Sequence, residues 1–166
     1  MKKLTIKEQI DNYFEGIEQI KKEFPYHAFV LLVPMIEFLG KCLNTDDMEN
    51  SSNGGTADFN AALKNYASLK PYDSQFNRND AKALYGILRC GLLHSLFFKE
   101  GISLDSGSND FDKNIIGLES FYNDIKTAWN DAKSGAVEVK KNLDADVFDI
   151  DSNITGRTST IQIQNK

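Results

Sequence analysis

From Thr5 to Phe24 the apolar residues Ile6, Ile10, Tyr13, Phe14, Ile17, Ile20 and Phe24 recur at three- and four-residue intervals, which predicts an amphipathic helix. Its remaining positions are mostly polar and their charges balance, with five acidic and five basic residues over 1–23, the pattern of a solvated outer face. Pro25 stops this helix, because a proline cannot continue the hydrogen-bond ladder. Tyr26 to Leu43 follows as a second helix, apolar on nearly every side apart from Glu37 and Lys41, and a helix of that kind is buried all round. Pro34 inside it predicts a kink or a late start. Asn44 to Thr56 has turn composition and predicts a mobile loop. Ala57 to Lys70 predicts a short helix through Phe59, Leu63, Tyr66 and Ala67, ended by Pro71, and Pro71 to Asn79 reads as a linker.

The next stretch, Leu84 to Phe98, is apolar over almost its whole circumference, yet it carries Arg89 and His94. Asn79 or Asp80 suits its N-cap, and Gly101 suits the left-handed position that closes it. Beyond it, Ile102 to Leu104 and Asn114 to Leu118 flank a polar turn and predict a small β-hairpin near 102–118. Leu118 to Asn142 then places Leu118, Phe121, Tyr122, Ile125, Ala128, Trp129, Ala132, Ala136 and Val139 on one stripe of a long helix, weakened at Gly135. In the tail, 144–166, Ile161 and Ile163 alternate with Gln162 and Gln164, which predicts an irregular or β-like arm. The expected architecture is thus an all-α bundle of about five helices over 1–143, followed by a tail over 144–166.

Composition fills in this outline. At 166 residues, 41% hydrophobic, the chain supports a core of ordinary size. A net charge of −5 argues against a broad basic nucleic-acid surface and leaves room only for local contacts. Cys42 and Cys90 lie in apolar helical settings without CxxC spacing, so they read as reduced, buried thiols. The N-terminus shows no export signal, and the longest apolar run, Ala28 to Ile36, falls short of the roughly 20 residues a bilayer needs. The expected location is the cytoplasm, with no membrane contact.

Searches for phosphate loops, metal-binding patterns and nucleophile elbows are negative, so neither a metal nor a cofactor is expected. The aspartates at 46, 47, 105, 110, 112 and 144–151 read as solvated loop charge, as do the lysine pairs Lys21-Lys22 and Lys140-Lys141. His27 reads as a helix-terminal or surface histidine, and Phe59, Tyr66, Tyr72 and Phe76 as core and linker packing. Arg89 and His94 remain. Both are polar groups on an apolar helix and need partners. Glu37, the lone acidic residue of the second helix, is the candidate partner of Arg89. Five residues at 100° leave Arg89 and His94 about 140° apart around an ideal α-helix. Convergence therefore requires that Gly91 distort the helix, that His94 sit at a frayed end, or that two subunits pair these helices.

The pattern Arg-x4-His on a buried helix, in the context Leu-Tyr-Gly-Ile-Leu-Arg-Cys-Gly-Leu-Leu-His-Ser, resembles the HEPN superfamily of α-helical bundles, and in particular its small bacterial members. The resemblance covers 4–143 in organisation and 84–98 in specific residues. It implies metal-independent RNA cleavage, in which a 2′-hydroxyl attacks the adjacent phosphate. By that resemblance His94 is the general acid or base, and Arg89 binds the phosphate and the charge that develops on it. These residue types suit the task, since imidazole titrates near neutrality and guanidinium grips two phosphate oxygens. The resemblance also implies a homodimer formed through the helix that carries Arg89 and His94.

Many active relatives carry Asn, Asp or His directly after the arginine. Here that position is Cys90, a weak hydrogen-bonding group. Two functions therefore stand as expectations. One is a HEPN-like endoribonuclease of a toxin–antitoxin or antiviral system, acting on RNA and held by an antitoxin protein. The other is a catalytically silent helical module that dimerises and binds a nucleotide or protein partner.

Overall fold

The computed structural model describes residues 4–46, 54–80, 82–95 and 101–146, and in it the apolar second segment forms the axis of an all-α bundle. This helix, α2 (Pro25–Asn44), buries nine of its residues and packs against α1 (Ile6–Ile20), α3 (Gly54–Asn65), α5 (Leu118–Ser134) and a π-helix (Tyr85–Ser95). A short α4 (Lys70–Phe76) follows α3. By length and composition α2 would also suffice to cross a membrane, with a mean hydropathy of 1.4, although half of that window is buried inside the bundle.

Helix ends follow local chemistry. Thr5 caps α1 in a capping box with Glu8, each side chain bonding the other's backbone N–H. Pro25 occupies the first turn of α2, where no N–H partner is needed, so it opens that helix, whereas α1 has already ended at Ile20, short of the expected Phe24. The late start expected at Pro34 is not found, and α2 runs through that residue. Pro71 likewise lies in the first turn of a helix, so 71–76, expected as linker, is helical, while α3 ends at Asn65 and not at Lys70 as expected. Helix α3 begins at Gly54 rather than Ala57, and the rest of the expected mobile loop, 47–53, lies outside the described residues. Gly135, in the left-handed conformation at φ 78°, ends α5 well before Asn142.

The two strands expected near 102–118 are present as β1 (Ser103–Asp105) and β2 (Ile115–Gly117), but they pair in parallel and form no hairpin. The chain reverses twice between them. Asp110 bridges Ile115 in antiparallel fashion across a 3-10 turn at Phe111–Lys113, and Asn114, at φ 55°, redirects the chain alongside β1. Tyr72 anchors this insertion to the bundle. Its hydroxyl donates to Asp124 Oδ2 at 2.7 Å and accepts from Asn109 Nδ2 at 2.8 Å, and Asn109 Oδ1 accepts from Gly117 N at 2.9 Å.

Residues 143–146 run antiparallel to the start of α1. Ile6 N donates to Ala145 O and Lys7 N to Leu143 O, which satisfies donors that a helix N-terminus leaves open. The remainder of the tail, 147–166, for which a β-like arm was expected, lies outside the described residues. Two lysine pairs expected as solvated are in part structural. Lys21 is 6% exposed and bridges Glu18 and Glu119, so it ties α1 to α5. Lys140 Nζ and Lys141 Nζ donate to the carbonyls of Asn44 and Asp46, at and just past the C-terminal end of α2.

Asp11 makes a second tie between α1 and α5, because its Oδ1 accepts from Trp129 Nε1 and from Lys133 Nζ, both at 2.7 Å. Trp129 is buried, so Asp11→Ala leaves an indole N–H without its acceptor. We expect a loss of about 2 kcal/mol of unfolding free energy in urea titration, and a smaller loss for Asp11→Asn, which keeps an acceptor oxygen.

Candidate functional site

Glu37 sits on α2 between the buried positions Ile36 and Leu39. Arg89 reaches it from the π-helix, and Nε donates to Glu37 Oε2 at 2.8 Å. The two side chains are 27% and 28% exposed, so the pair is neither sealed in the core nor free in solvent. One stripe of α2, Pro34, Glu37, Phe38 and Lys41, recurs at the i, i+3, i+4, i+7 spacing of a single helix face, and with Arg89 it lines a cavity of about 220 Å³.

The start of α3 closes the other side of Glu37. A Cβ at Gly55 would fall 2.6 Å from Glu37 Oε1 and 2.9 Å from the Tyr85 hydroxyl, so any other residue there would require these side-chain ends to shift. The arrangement puts a carboxylate beside the N-terminal turn of a helix, whose dipole favours negative charge. Tyr85 is held edge-on against buried Phe59, with ring centroids 5.5 Å apart. Deeper in the same α2–α3 crossing, a Cβ on Gly40 would overlap the backbone carbonyl of Asp58.

Arg89 and His94 lie in the described part of the central segment, and its geometry differs from the expected α-helix. Asp80 opens it, its carboxylate accepting from Lys82 N at 2.9 Å, and Leu84 N donates to Asn77 Oδ1 at 3.0 Å. Leu84 and Leu88 are buried against the bundle. From Tyr85 to Ser95 the helix is of the π type, in which each turn is closed from residue i to residue i+5. Positions 89 and 94 are therefore separated by one such step and lie nearly above one another, in place of the 140° expected for α geometry. Gly86 and Gly91 are stacked in the same way, and Gly91 is buried. Of the three routes to convergence, this winding corresponds to a distorted helix, and the distortion covers Tyr85–Ser95 and not Gly91 alone.

Cys90, directly after Arg89, is half-buried, whereas Cys42 on α2 is fully buried. Burial pushes the Cys42 thiol up to about 12, and the thiolate is the form that reacts with alkylating agents. At pH 8 iodoacetamide should therefore leave Cys42 unmodified in the native protein and modify it once the chain is unfolded in guanidinium, as read by peptide mass spectrometry.

Other candidates fall elsewhere. His27 lies in the first turn of α2 and is exposed, edge-on to Phe24 and Tyr26. Phe59, Tyr66 and Tyr72 are fully buried and belong to the core. Among the described residues, no group of three or more His, Cys, Asp or Glu side chains gathers into a metal-binding set. The sequence reading missed Gly55, Tyr85, Phe38 and Lys41 as neighbours of the Arg89–Glu37 pair. The α2 stripe was present in the spacing, but Gly54-Gly55 read only as a turn. Comparison of the chain with protein-family models, with curated proteins and with solved structures gives no match.

Proposed function

We propose that the protein is a HEPN-like, metal-independent endoribonuclease that acts in the cytoplasm as a homodimer. The observation that carries this reading is the π-helical register, which brings positions 89 and 94 onto one face of the segment; π-helical insertions of this kind recur at functional sites. In the proposed reaction His94 moves the proton to or from the attacking 2′-hydroxyl or the leaving oxygen. Arg89 holds the phosphate and stabilises the charge that builds on it. Glu37, at 2.8 Å from Arg89 Nε, orients the guanidinium without touching the reacting atoms, and Cys90 adjoins the arginine as a supporting side chain. The helix carrying both residues forms the dimer contact, and an antitoxin protein would control such an enzyme.

The test is incubation of the purified protein with mixed RNA in EDTA beside His94→Ala and Arg89→Ala. The reading predicts cleavage by the unsubstituted protein alone, and cleavage that survives both substitutions removes the site. The Glu37–Arg89 ion pair favours a second reading, because such a pair also serves to fix helix register in a silent module that dimerises and binds a nucleotide or protein partner. Absence of cleavage under every condition selects that reading.

A further inference from the structure

We propose that the tail segment 157–164 of this chain adds to the free edge of β1 as a third strand, with Ile161 and Ile163 turned onto the first turn of α2. Strand β1 belongs to a sheet of two strands, so β2 covers only one of its edges. Ser103 N donates to Asn114 O at 3.0 Å, which with the parallel register turns the N–H and C=O of Ser103 and Asp105 toward β2. The N–H and C=O of Leu104 therefore face the opposite edge. A cavity of about 540 Å³ opens there, lined by the five residues 102–106 and by Pro25, Tyr26 and Phe29 of α2. No residue of Ile115–Gly117 lines it, which places it beside the strand and not above the face of the sheet. Two strands alone are marginal in water, and proteins commonly pair or cover an open edge.

The chemistry of the edge selects the occupant. Ile102 is buried and Leu104 half-buried, whereas Ser103 and Asp105 are exposed, so one face of β1 meets apolar side chains and the other meets water. A strand added beside it must alternate in the same way. Ile161-Gln162-Ile163-Gln164 does so, and Thr158 and Thr160 before it are β-branched residues on the polar face. Among the described residues lining the cavity, Asp105 is the only charged one, and its Oδ2 accepts from Gly107 N at 2.8 Å, which holds the carboxylate in place. The chain as a whole carries −5, yet 152–166 holds Arg157 and Lys166 and no acidic residue, so its charge complements that of the cavity. The intervening chain is long enough. Asp146 bridges Thr5, α1 rises about 22 Å from there to Ile20, and Pro25 follows five residues later. The fourteen residues 147–160 span up to about 50 Å when extended, more than that path requires.

The experiment is amide hydrogen exchange of the isotope-labelled 166-residue chain, followed by NMR. The Leu104 amide should be protected in the unsubstituted chain and exchange about tenfold faster or more in the double variant Ile161→Asp, Ile163→Asp. The Ser103 amide, bonded to Asn114 O, should keep its protection in both and so report that the sheet is intact. Asp105→Asn, which retains an acceptor for Gly107 N, should speed Leu104 exchange severalfold through the lost charge alone. Adding an excess of unlabelled, unsubstituted chain to the labelled double variant should leave Leu104 exchanging fast, because the strand comes from the same chain. Protection restored by that addition would place the tail of a second copy on β1 and overturn the proposal. Leu104 exchange that is already fast in the unsubstituted chain, or that the double substitution leaves unchanged, would overturn it as well.

Discussion

Alanine at position 94 is expected to slow RNA cleavage in EDTA by roughly a hundredfold to ten-thousandfold, the range that a positioned general acid or base supplies. Arg89→Ala is expected to lose about a hundredfold to a thousandfold, as removal of one donor to a developing oxyanion does. It also strips Glu37 of the guanidinium that donates to it at 2.8 Å, so part of its effect is a carboxylate left repelling the phosphate. Arg89→Lys separates these contributions. It keeps a positive charge opposite Glu37 but gives up the planar fork, so it should retain the native melting temperature and recover only a small part of the rate. The quantity to compare is kcat/KM on a labelled oligoribonucleotide for each variant, measured beside its thermal melt.

The largest expected effect on stability lies at Gly40. A methyl group there would overlap the Asp58 carbonyl in the α2–α3 crossing, and the obstacle is backbone instead of the movable end of a side chain. Gly40→Ala should therefore separate the two helices and cost about 3 kcal/mol or more, at the upper end of overpacking changes. Intrinsic helix propensity opposes this by roughly 1 kcal/mol in favour of alanine, which is too little to offset the clash. At Gly16, where a Cβ would meet nothing within 4 Å, the same replacement should stabilise the protein, so the pair separates close approach from propensity. Urea midpoints for the two variants provide the comparison.

These contacts show which parts of the molecule could be read from the chain. Helical spacing located α1, α2, α3 and α5, because each buries a stripe or a full circumference of apolar residues. The Glu37–Arg89 pair was legible for a related reason: Glu37 is the lone acidic residue of α2 and Arg89 is a cation in an otherwise apolar segment, and a charge so placed needs a partner. The π register was not legible. Leu84 to Phe98 is apolar over almost its whole circumference, so no continuous polar face marks the turn length and the pattern fits several windings equally well. The parallel pairing of β1 and β2 escaped notice because it depends on two reversals set by Asp110 and Asn114, which alternation of apolar residues does not encode. Pro71 reads as the stop of the helix before it, but α3 ends earlier, at Asn65, and Pro71 instead lies in the first turn of α4. Gly55 became part of the site because α3 begins three residues earlier than its apolar spacing indicated.

In the proposed reaction Arg89 and His94 act as one unit on a single phosphate. Residues that do so are strongly non-additive, since either loss alone already disables the shared step. The most direct measurement is cleavage of one defined RNA in EDTA by the unsubstituted protein, Arg89→Ala, His94→Ala and the double variant, with product ends identified. We expect 2′,3′-cyclic phosphate and 5′-hydroxyl ends, and a double variant no slower than the slower single variant. Rate losses that multiply in the double variant, or cleavage unchanged by either substitution, would contradict it.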